Sequence, residues 1–263
     1  MAKKFSTSIS VLAKAAVAAA LVGGAWAQPV WASSGPTSGG TTSKATVGGK
    51  PSGANLSGNP FFPLVLNAKW TYDYATAATS FTSSQTVTGS SSSASTGTQV
   101  KIDSSDSLLP GKVTSLTYTI GKGGTVEVES SSGSGSSASS FSSTYWIPTE
   151  SQIESCSACK FSGPFSASFG GRSTTGTLTE VATALGSQTV TVPAGTFSTE
   201  EVKLIVGMHT TGAVPMNMNL TFHLYLAKNV GMVEDTGGTM AMNLMGHSVT
   251  MNMGTDKLAS YKA

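Results

Sequence analysis

The sequence predicts a mainly β protein, built as a single antiparallel sheet that is curled or closed into a barrel-like domain. Apolar and polar residues alternate with a period of two in many segments, for example at Leu116, Tyr118 and Ile120, and this period is typical of strands with one buried face. The segments have strand length and are separated by turns rich in glycine, serine and proline. After the first 32 residues, only Thr177 to Leu185 has a pattern compatible with a helix. These features favour an antiparallel β domain.

The N-terminus has the features of an export signal. Lys3 and Lys4 precede an apolar run over residues 15–22, and small residues follow at two sites, so cleavage is predicted after Ala27 or Ala32. A membrane anchor is the alternative, but the run is shorter than the about 20 residues that span a bilayer. Residues 1–32 are therefore predicted to be a signal peptide. The mature protein is predicted to be exported to the bacterial cell envelope, periplasmic or extracellular, without a stable membrane span.

Three stretches of low complexity organise the rest of the chain. Residues 33–58 are mostly serine, threonine, glycine and proline, and such a segment cannot bury enough apolar surface to fold. We predict that it is a flexible leader, followed by one β domain over residues 59–263. Serine-rich stretches near 89–97 and 130–140 lie between alternating segments and are predicted to be long loops of that domain.

The charge balance argues against nucleic acid as a partner. The chain has 15 basic and 13 acidic residues and a formal charge of +2. Residues 1–32 contain three of the lysines and no acid, so their removal leaves 12 basic and 13 acidic residues and a charge of −1. A nearly neutral domain with a single arginine, Arg172, has no electrostatic footprint for nucleic acid or anionic lipid.

The strands can be placed in order from the alternating residues. The domain begins with a strand whose aromatic face carries Trp70, Tyr72 and Tyr74. Later alternations occur at Val100 and Ile102; at Leu116, Tyr118 and Ile120; at Val126 and Val128; at Val190 and Val192; at Val202, Leu204, Val206 and Met208; and at Met216, Met218, Leu220, Phe222, Leu224 and Leu226. The last two segments carry Met240, Met242 and Leu244, then Val249, Met251 and Met253. They are predicted to pair as a hairpin through a turn near residues 245–247.

Cys156 and Cys159 form a C-x-x-C motif. In an exported protein this spacing favours a local disulfide that closes a tight loop. A redox pair and two ligands of a soft metal are the alternatives. A thioredoxin-like role would require a helix that starts at the first cysteine, which the flanking residues do not indicate. A closed zinc site would require four ligands, and the sequence contains no second cysteine pair.

All methionines after the initiator, and all three histidines, lie between Met208 and Met253. Thioethers either fill an adaptable apolar interior or bind a soft metal such as Cu(I). Most of these methionines alternate in phase with leucine and phenylalanine, which places them in the core. A core of this kind can bind lipid or another apolar ligand. The residues predicted to line it are Met216, Met218, Phe222, Met240, Met242, Leu244, Met251 and Met253.

Binding of Cu(I) or Ag(I) is the alternative. Several soft ligands lie around the predicted hairpin turn and could converge on one ion. The predicted metal ligands are Met242, Met245, His247, Met251 and Met253. His247 shares a face with the interior methionines, whereas His209 and His223 are out of phase with the apolar faces of their strands and are predicted to be solvated. No other cofactor is predicted.

The sequence does not predict an enzyme. Residues 246–250 read G-H-S-V-T and lack the final glycine of the serine-hydrolase motif G-x-S-x-G. Asp103 with Asp106, and Glu234 with Asp235, are acids close in sequence. We predict that both pairs are solvated and do not serve glycoside hydrolysis. Phosphate-binding loops are absent as well.

Three segments resemble a loose group of exported bacterial β-domain proteins, most of them uncharacterised. The resemblance is carried by F-P-L at 62–64 with W-T-Y at 70–72, by V-P-A-G-T-F at 192–197, and by Y-L-A-K-N-V-G-M-V at 225–233. In that group a P-L-x-x-G-x-x-W-x-Y opening starts the first strand, V-P-A-G-T-F precedes a central strand, and A-x-G-V-G-x-V lies near the end. Ala68 and Asn229 stand where the group usually has glycine. The resemblance implies an antiparallel β architecture and export, and it carries no catalytic residues.

These observations predict an exported protein without catalytic activity. Its methionine-rich interior favours a carrier of an apolar ligand. Its low charge and long Ser/Thr/Gly stretches are equally typical of a structural surface component, and Cu(I) binding is the alternative. The partner of the protein stays open.

Overall fold

The structure is a computed structural model, and within its described residues the chain forms a closed barrel of twelve antiparallel strands and one short helix. The described residues are 53–76, 80–93, 97–107, 111, 113–121, 125–132, 139–169, 172–212, 216–244 and 247–262. The predicted mainly β, barrel-like fold is confirmed. The predicted signal peptide and most of the predicted leader lie outside the described residues.

The strands follow one another around the barrel in chain order, and β6 and β7 are joined by a longer segment that contains the helix. Their bounds are β1 Lys69–Ala75, β2 Ser80–Ser93, β3 Gly97–Asp106, β4 Thr114–Ile120, β5 Thr125–Ser132, β6 Ser139–Trp146, β7 Cys159–Phe169, β8 Arg172–Val192, β9 Gly195–Gly212, β10 Met216–Ala227, β11 Gly231–Leu244 and β12 His247–Lys262. The helix, α1, spans Glu150–Ser155 between β6 and β7. The long strands β8 to β12 form the tallest part of the wall.

The barrel closes where β1 pairs with β12 along the whole length of β1. Trp70 lies opposite Tyr261, and the two rings stack with 5.6 Å between their centroids. The predicted aromatic face of the first strand points inward, because Trp70, Tyr72 and Tyr74 are each 6% exposed. Closure pairs β1 with a strand on each side, and the apolar faces of the strands share one interior.

The segment before β1 packs against the barrel core and is part of the folded domain. Phe61 and Leu64 are buried among the core residues. The Leu56 N–H donates to the Leu64 carbonyl at 2.9 Å, and the Asn55 side-chain oxygen accepts from the Leu64 N–H at 3.0 Å. These bonds fold residues 55–57, which belong to the segment predicted to be a leader, back onto the start of the domain.

The three segments that carry the family resemblance meet at the end of the barrel where β1 begins. The Trp70 indole N–H donates to the Val230 carbonyl at 2.6 Å, and the Ala194 N–H donates to the Leu258 carbonyl at 3.0 Å. Asn229 has a φ of 62°, a left-handed conformation that asparagine tolerates better than most residues. Ala68 is fully buried. The motifs are thus packing and turn elements of one barrel end.

Residues 177–185, the segment whose pattern is compatible with a helix, lie inside strand β8. Threonine is β-branched and favours strands, and the long pairing with β9 stabilises the extended form. The actual helix, α1, begins after Thr149, whose N–H donates to the Gln152 side-chain oxygen at 2.9 Å. The sequence T-x-x-Q at 149–152 forms the capping box of this helix. Within the described residues, no helix combines the length and apolar character needed to cross a membrane.

The serine-rich stretch at 89–97 is also mostly strand, not the predicted long loop. Residues 89–93 belong to β2, and β3 starts at Gly97. Near 130–140, residues 130–132 end β5 and residue 139 begins β6, while the predicted loop at 133–138 lies outside the described residues. Backbone hydrogen bonds between strands do not depend on the side chains, so pairing with a neighbouring strand can hold serine residues in the extended conformation.

Replacing Phe61 tests whether the segment before β1 supports the core. Phe61 is 1% exposed, so Phe61→Ala should lower the free energy of unfolding by about 3–5 kcal/mol, the usual cost of truncating a buried phenylalanine. Leu66→Ala is the control, because Leu66 is 47% exposed and should cost less than about 1 kcal/mol. Urea unfolding measures both. Equal effects would mean that the segment does not contribute to the core.

Candidate functional site

The methionines of the barrel lie in its core wherever their side chains are described. Met208, Met218 and Met240 are at most 2% exposed, and Met253 is 9% exposed. Met218 lies opposite Met208 on one side and opposite Met242 on the other, so three methionine positions form a row across β9, β10 and β11. The side chains of Met216, Met242, Leu244 and Met251 are outside the described set.

The predicted hairpin of β11 and β12 forms, and it brings some of the predicted metal ligands to neighbouring backbone positions. Met240 lies opposite Met251, and Leu244 lies opposite His247. Met245 lies outside the described residues, and of Met242, His247 and Met251 the structure describes only the backbone. Among the described residues, no three His, Cys, Asp or Glu side chains come together as a metal site. Cu(I) binding therefore stays a prediction.

The other two histidines lie on the outer side of the wall, as their phase predicts. His209 is exposed and hydrogen-bonds through Nδ1 to the side-chain oxygen of Asn217. His223 is half-buried and its Nδ1 lies 2.8 Å from Glu201 Oε1. Both imidazoles thus pair with neighbouring polar side chains outside the core.

The barrel interior contains a cavity of about 40 Å³ that is partly open to solvent. This volume is enough for about three water molecules or a small part of a ligand. Its lining comes from β4, β5, β6, β8, β9, β10 and the segment that contains α1, and is formed by Tyr118, Val126, Val128, Tyr145, Trp146, Ile147, Pro148, Ile153, Glu180, Val202, Leu204, Val206, Phe222, Leu224 and Leu226. Of the residues predicted to line a ligand site, Phe222 lies here, whereas the described methionines pack elsewhere in the core.

The cavity lies where β6 separates from β7. Only residues 139–143 of β6 pair with β7 in the described part of the ladder. Beyond them, the Trp146 N–H donates to the Glu180 side chain, with 2.9 Å between the nitrogen and Oε2. Helix α1 fills the space that this separation leaves, and its Ile153 side chain is 2% exposed and lines the cavity. At the wall of the cavity, the Glu180 side chain therefore accepts the Trp146 N–H in place of a backbone carbonyl of a neighbouring strand.

Glu180 is a buried carboxyl group in an apolar environment. Its side chain is 3% exposed, and no described basic residue forms an ion pair with it. Burial raises the pKa of the Glu180 carboxyl to about 8, and the hydrogen bond from Trp146 opposes part of this rise. At neutral pH the group is therefore mostly protonated, so it can donate a hydrogen bond.

Tyr145 also lines the cavity, and its hydroxyl oxygen is fully buried. The residue is 7% exposed, and its hydroxyl has no hydrogen-bond partner among the described residues. Burial raises the pKa of Tyr145 well above 10; the nearby Ser143 hydroxyl opposes part of this rise and the charge of Glu180 adds to it. Ser143 directs its own hydrogen bond to the Pro164 carbonyl at 3.4 Å.

A second group of buried acids lies on β11 and β12. Asp235 and Asp256 lie opposite each other and are 3% and 4% exposed. Burial raises the pKa of Asp256 to about 7 and that of Asp235 well above its ordinary value, with further contributions from the charges of Asp256 and Glu234. The prediction that Glu234 and Asp235 are solvated was wrong, because Glu234 is 8% exposed and lies 3.2 Å from the Lys257 ammonium.

The turn after α1 is held by the predicted local disulfide between Cys156 and Cys159, which is confirmed. The Ala184 N–H donates to the Cys156 carbonyl at 2.7 Å and ties this turn to β8. The Lys228 ammonium lies 2.7 Å from carboxylate oxygens of both Glu150 and Glu154. The helix that covers the cavity is therefore fixed at both ends.

Sequence reasoning missed Glu180 as a site residue, although a signal was present. Leu178, Glu180 and Ala182 have the same parity on β8, and all three are buried. An acid in phase with apolar residues on a strand marks a buried carboxyl. Interpreting residues 177–185 as a weak helix concealed that phase.

Comparisons with known proteins do not assign this chain to a family. No family model matches the sequence, and no curated protein does. A "putative lipoprotein" from Parabacteroides distasonis is similar in structure, with a TM-score of 0.44 and 14% identity over 78% of this chain and 99% of that one. A "putative exported protein with YmcC-like fold" from Bacteroides fragilis has a TM-score of 0.46 and 13% identity over 78% of this chain and 100% of that one. Likeness at this level supports no statement about ligand or reaction.

Acidification should stabilise the protein, because Glu180 binds its proton more tightly in the folded chain than in the unfolded one. Its stabilising contribution is complete below its ordinary pKa of 4.5 and is lost as the pH rises through about 8. Between pH 8 and pH 5 we expect the free energy of unfolding to increase by roughly 3–5 kcal/mol from this group, with Asp235 and Asp256 adding changes of the same sign. Urea unfolding at several pH values measures the slope.

Two variants separate Glu180 from the other acids. Glu180→Gln keeps an acceptor for the Trp146 N–H but cannot ionise, so it should reduce the pH slope. Glu127→Gln changes an exposed carboxyl on β5 and should leave the slope as in the wild type. An unchanged slope in Glu180→Gln would contradict the assignment.

Proposed function

We propose that the protein is an exported, non-enzymatic binding protein that holds a small apolar molecule, or the end of a longer lipid, in the cavity beneath α1. The observation that carries the proposal is the apolar cavity itself. Among the described residues of its lining, Glu180 is the only acidic or basic residue. Concave apolar sites with few polar groups are the usual form of small-molecule sites. The proposal places the ligand nearer to β4–β6 than the methionine-lined region predicted from the sequence, with Phe222 common to both.

The chemistry of the lining favours binding over catalysis. Its described residues include no serine, threonine, cysteine, lysine or histidine, so the cavity presents no aliphatic hydroxyl, thiol or amine nucleophile and no histidine base. Fixed walls favour affinity, because a preformed site loses little conformational entropy on binding. The disulfide after α1 and the ion pairs of Lys228 supply that rigidity. The methionines of the adjoining core can shift to accommodate ligands of different shape.

Ethylbenzene is a suitable minimal ligand, because it is apolar and its ethyl end can enter a cavity of about 40 Å³ while its ring lies on the side that is open to solvent. We expect saturable binding to the mature protein with a Kd of about 0.1–1 mM, as expected for eight carbon atoms at ordinary ligand efficiency. A ¹H–¹⁵N NMR titration gives the Kd and the residues whose signals move. Shifts confined to the cavity lining are expected, and absence of saturable binding would overturn the proposal.

A matched pair of variants tests the location of the binding site. Val206 lines the cavity and is 3% exposed, so Val206→Leu adds a methylene into the space and should weaken ethylbenzene binding at least about threefold. Val100 is fully buried but does not line this cavity. Val100→Leu makes the same change elsewhere in the core and should leave the Kd unchanged. Equal effects of the two variants would exclude the cavity as the site.

Cu(I) binding is a second candidate, favoured by one specific observation. Methionine positions 208, 218 and 242 lie opposite one another across three adjacent strands, and Met240 lies opposite Met251 in the next row. Rows of thioethers at such spacing suit a soft monovalent ion. His247, opposite Leu244 on the hairpin, would add an imidazole at the edge of this group.

Titration of the mature protein with Cu(I) against bicinchoninate tests this candidate. Binding should be tighter than to the chelator, and Met242→Leu combined with His247→Ala should weaken it at least about tenfold. His209→Ala is the control, because His209 lies on the outer side of β9 and pairs with Asn217. Failure to compete with bicinchoninate, or equal binding by the double variant, would rule out the site.

A further inference from the structure

We infer that the ligand is a single unbranched hydrocarbon chain, such as an acyl chain, which extends past Tyr118 from the cavity beneath α1 into a second cavity of the barrel. This inference rests on the proposed function and specifies the shape and chemical class of the ligand. It is carried by the position of Tyr118, whose side chain lines both cavities.

The second cavity lies at the end of the barrel where β1 begins. It has a volume of about 30 Å³ and is partly open to solvent. Its lining comes from the segment before β1, from β1 to β4 and from the start of β11, and includes Phe62, Trp70, Ile102 and Met232. The two cavities together therefore extend from the wall beside α1 to the seam where the barrel closes.

Tyr118 on β4 is the one residue that belongs to both described linings. It is 2% exposed, and its cross-strand neighbours are Val100 on β3 and Val128 on β5. Both valines are shorter than tyrosine, so the outer part of the tyrosine side chain extends past them into the interior. At this point a single side chain separates the two spaces.

The Tyr118 ring borders empty space on two sides, which lowers the cost of moving it. Atoms that line a void lack contacts on that side, so a rotation of the ring gives up few contacts. Tyrosine in a strand has two common side-chain rotamers. The ring of Phe62 is tilted by 51° against the Tyr118 ring with 6.3 Å between the centroids, in the upper part of the range for aromatic pairs. Displacement of the Tyr118 ring joins the two cavities.

The dimensions of the joined space select a narrow ligand. The cavities have volumes of about 40 and 30 Å³, so each alone accommodates only a few atoms. A ligand that uses both must pass Tyr118, where a methylene chain needs less width than a ring or a branched chain. A chain that fills both cavities also supplies the contacts that their lining atoms lack.

An apolar chain suits the walls of the second cavity. The Trp70 indole N–H donates to the Val230 carbonyl at 2.6 Å, and the Tyr72 hydroxyl donates to the Met232 carbonyl at 3.3 Å. A hydrocarbon chain can lie against both rings and leave neither polar group without its partner. Gln85 adds one side-chain amide to this lining.

Each cavity has one tryptophan in its lining, Trp146 in the first and Trp70 in the second. The sequence has four tryptophans, and the other two, Trp26 and Trp31, precede the predicted cleavage site after Ala32. In the mature protein that begins after Ala32, the two indole N–H signals therefore report separately on the two cavities.

A ¹H–¹⁵N NMR titration of this wild-type protein compares 1-butanol with 1-dodecanol. We expect 1-butanol to move the Trp146 indole signal alone, and 1-dodecanol to move the Trp146 and Trp70 signals with one common Kd and a stoichiometry of one. Nuclear Overhauser effects should connect one end of the dodecanol chain to the Trp146 ring and the other end to the Trp70 ring. Between these lengths, affinity should rise about threefold to fourfold for each methylene that becomes buried.

A ring compound with as many carbon atoms tests the passage at Tyr118. In 3-(4-propylcyclohexyl)-1-propanol the ring is in the middle, so it must pass Tyr118 whichever end enters. Wild type should bind 1-dodecanol at least about tenfold more tightly than this compound, and Tyr118→Leu should reduce the preference to less than about threefold, because it removes the ring between the cavities. Tyr74→Leu is the control, because Tyr74 is 6% exposed and lines neither cavity, and it should keep the wild-type preference.

Two sources of the chain are a free fatty acid and a single-chain lipid. Dodecanoate and dodecanoyl lysophosphatidylcholine, each below its critical micelle concentration, distinguish them through the same two indole signals. Tighter binding of dodecanoate indicates a fatty acid, and tighter binding of the lysophospholipid indicates a lipid.

The outcomes distinguish this inference from the proposed function. A Trp70 signal that stays unchanged when 1-dodecanol saturates the Trp146 signal would overturn the inference and leave the proposed site beneath α1 intact. Two dodecanol molecules bound with separate Kd values would also overturn it, because the cavities would then be independent. If neither ethylbenzene nor the alcohols bind, the proposed function fails as well. The wild-type titration decides the matter even if Tyr118→Leu does not fold.

Discussion

Closure of the sheet between β1 and β12 is the constraint on which the rest of the structure depends. Trp70 stacks on Tyr261 across this seam and donates to the Val230 carbonyl, so the seam is joined to the turn between β10 and β11. Once the strands close, every inward side chain shares one interior, and the segment that contains Phe61 packs against that core. In an open sheet, Glu180 and Asp235 would meet water and the cavity would be a groove.

The interior that closure creates is apolar, yet it holds three carboxyl groups. Glu180, Asp235 and Asp256 are at most 4% exposed, and desolvation is the largest cause of the raised pKa of each. Such groups reduce stability near neutral pH, because the unfolded chain ionises more readily. Residues retained at a cost to stability are frequently functional. Glu180 is distinguished from the aspartates by its position in the wall of the cavity.

Parts of the fold followed directly from particular residues. Trp70, Tyr72 and Tyr74 predicted an inward aromatic face, the segments 240–244 and 249–253 predicted a hairpin, and Cys156 with Cys159 predicted a local disulfide; each is present. The local pattern of residues 177–185 is ambiguous between helix and strand. Pairing with β7 and β9 decides that these residues form a strand. Glu180 was missed for the same reason, since strand parity can be assigned only where a strand is recognised.

Period-two alternation and turn residues alone determined that the chain is an antiparallel β protein, because side-chain spacing is a local property of the backbone. The sequence also predicted that Met218 and Met240 lie in the core, since Met218 shares strand parity with Leu220 and Met240 with Leu244, and both methionines are buried. Only the tertiary structure decided where the cavity lies and which acids are buried. The cavity arises where β6 separates from β7, and the buried aspartates lie where β11 pairs with β12. These contacts join residues that are distant in the chain, so the desolvation of each carboxyl group depends on the tertiary structure.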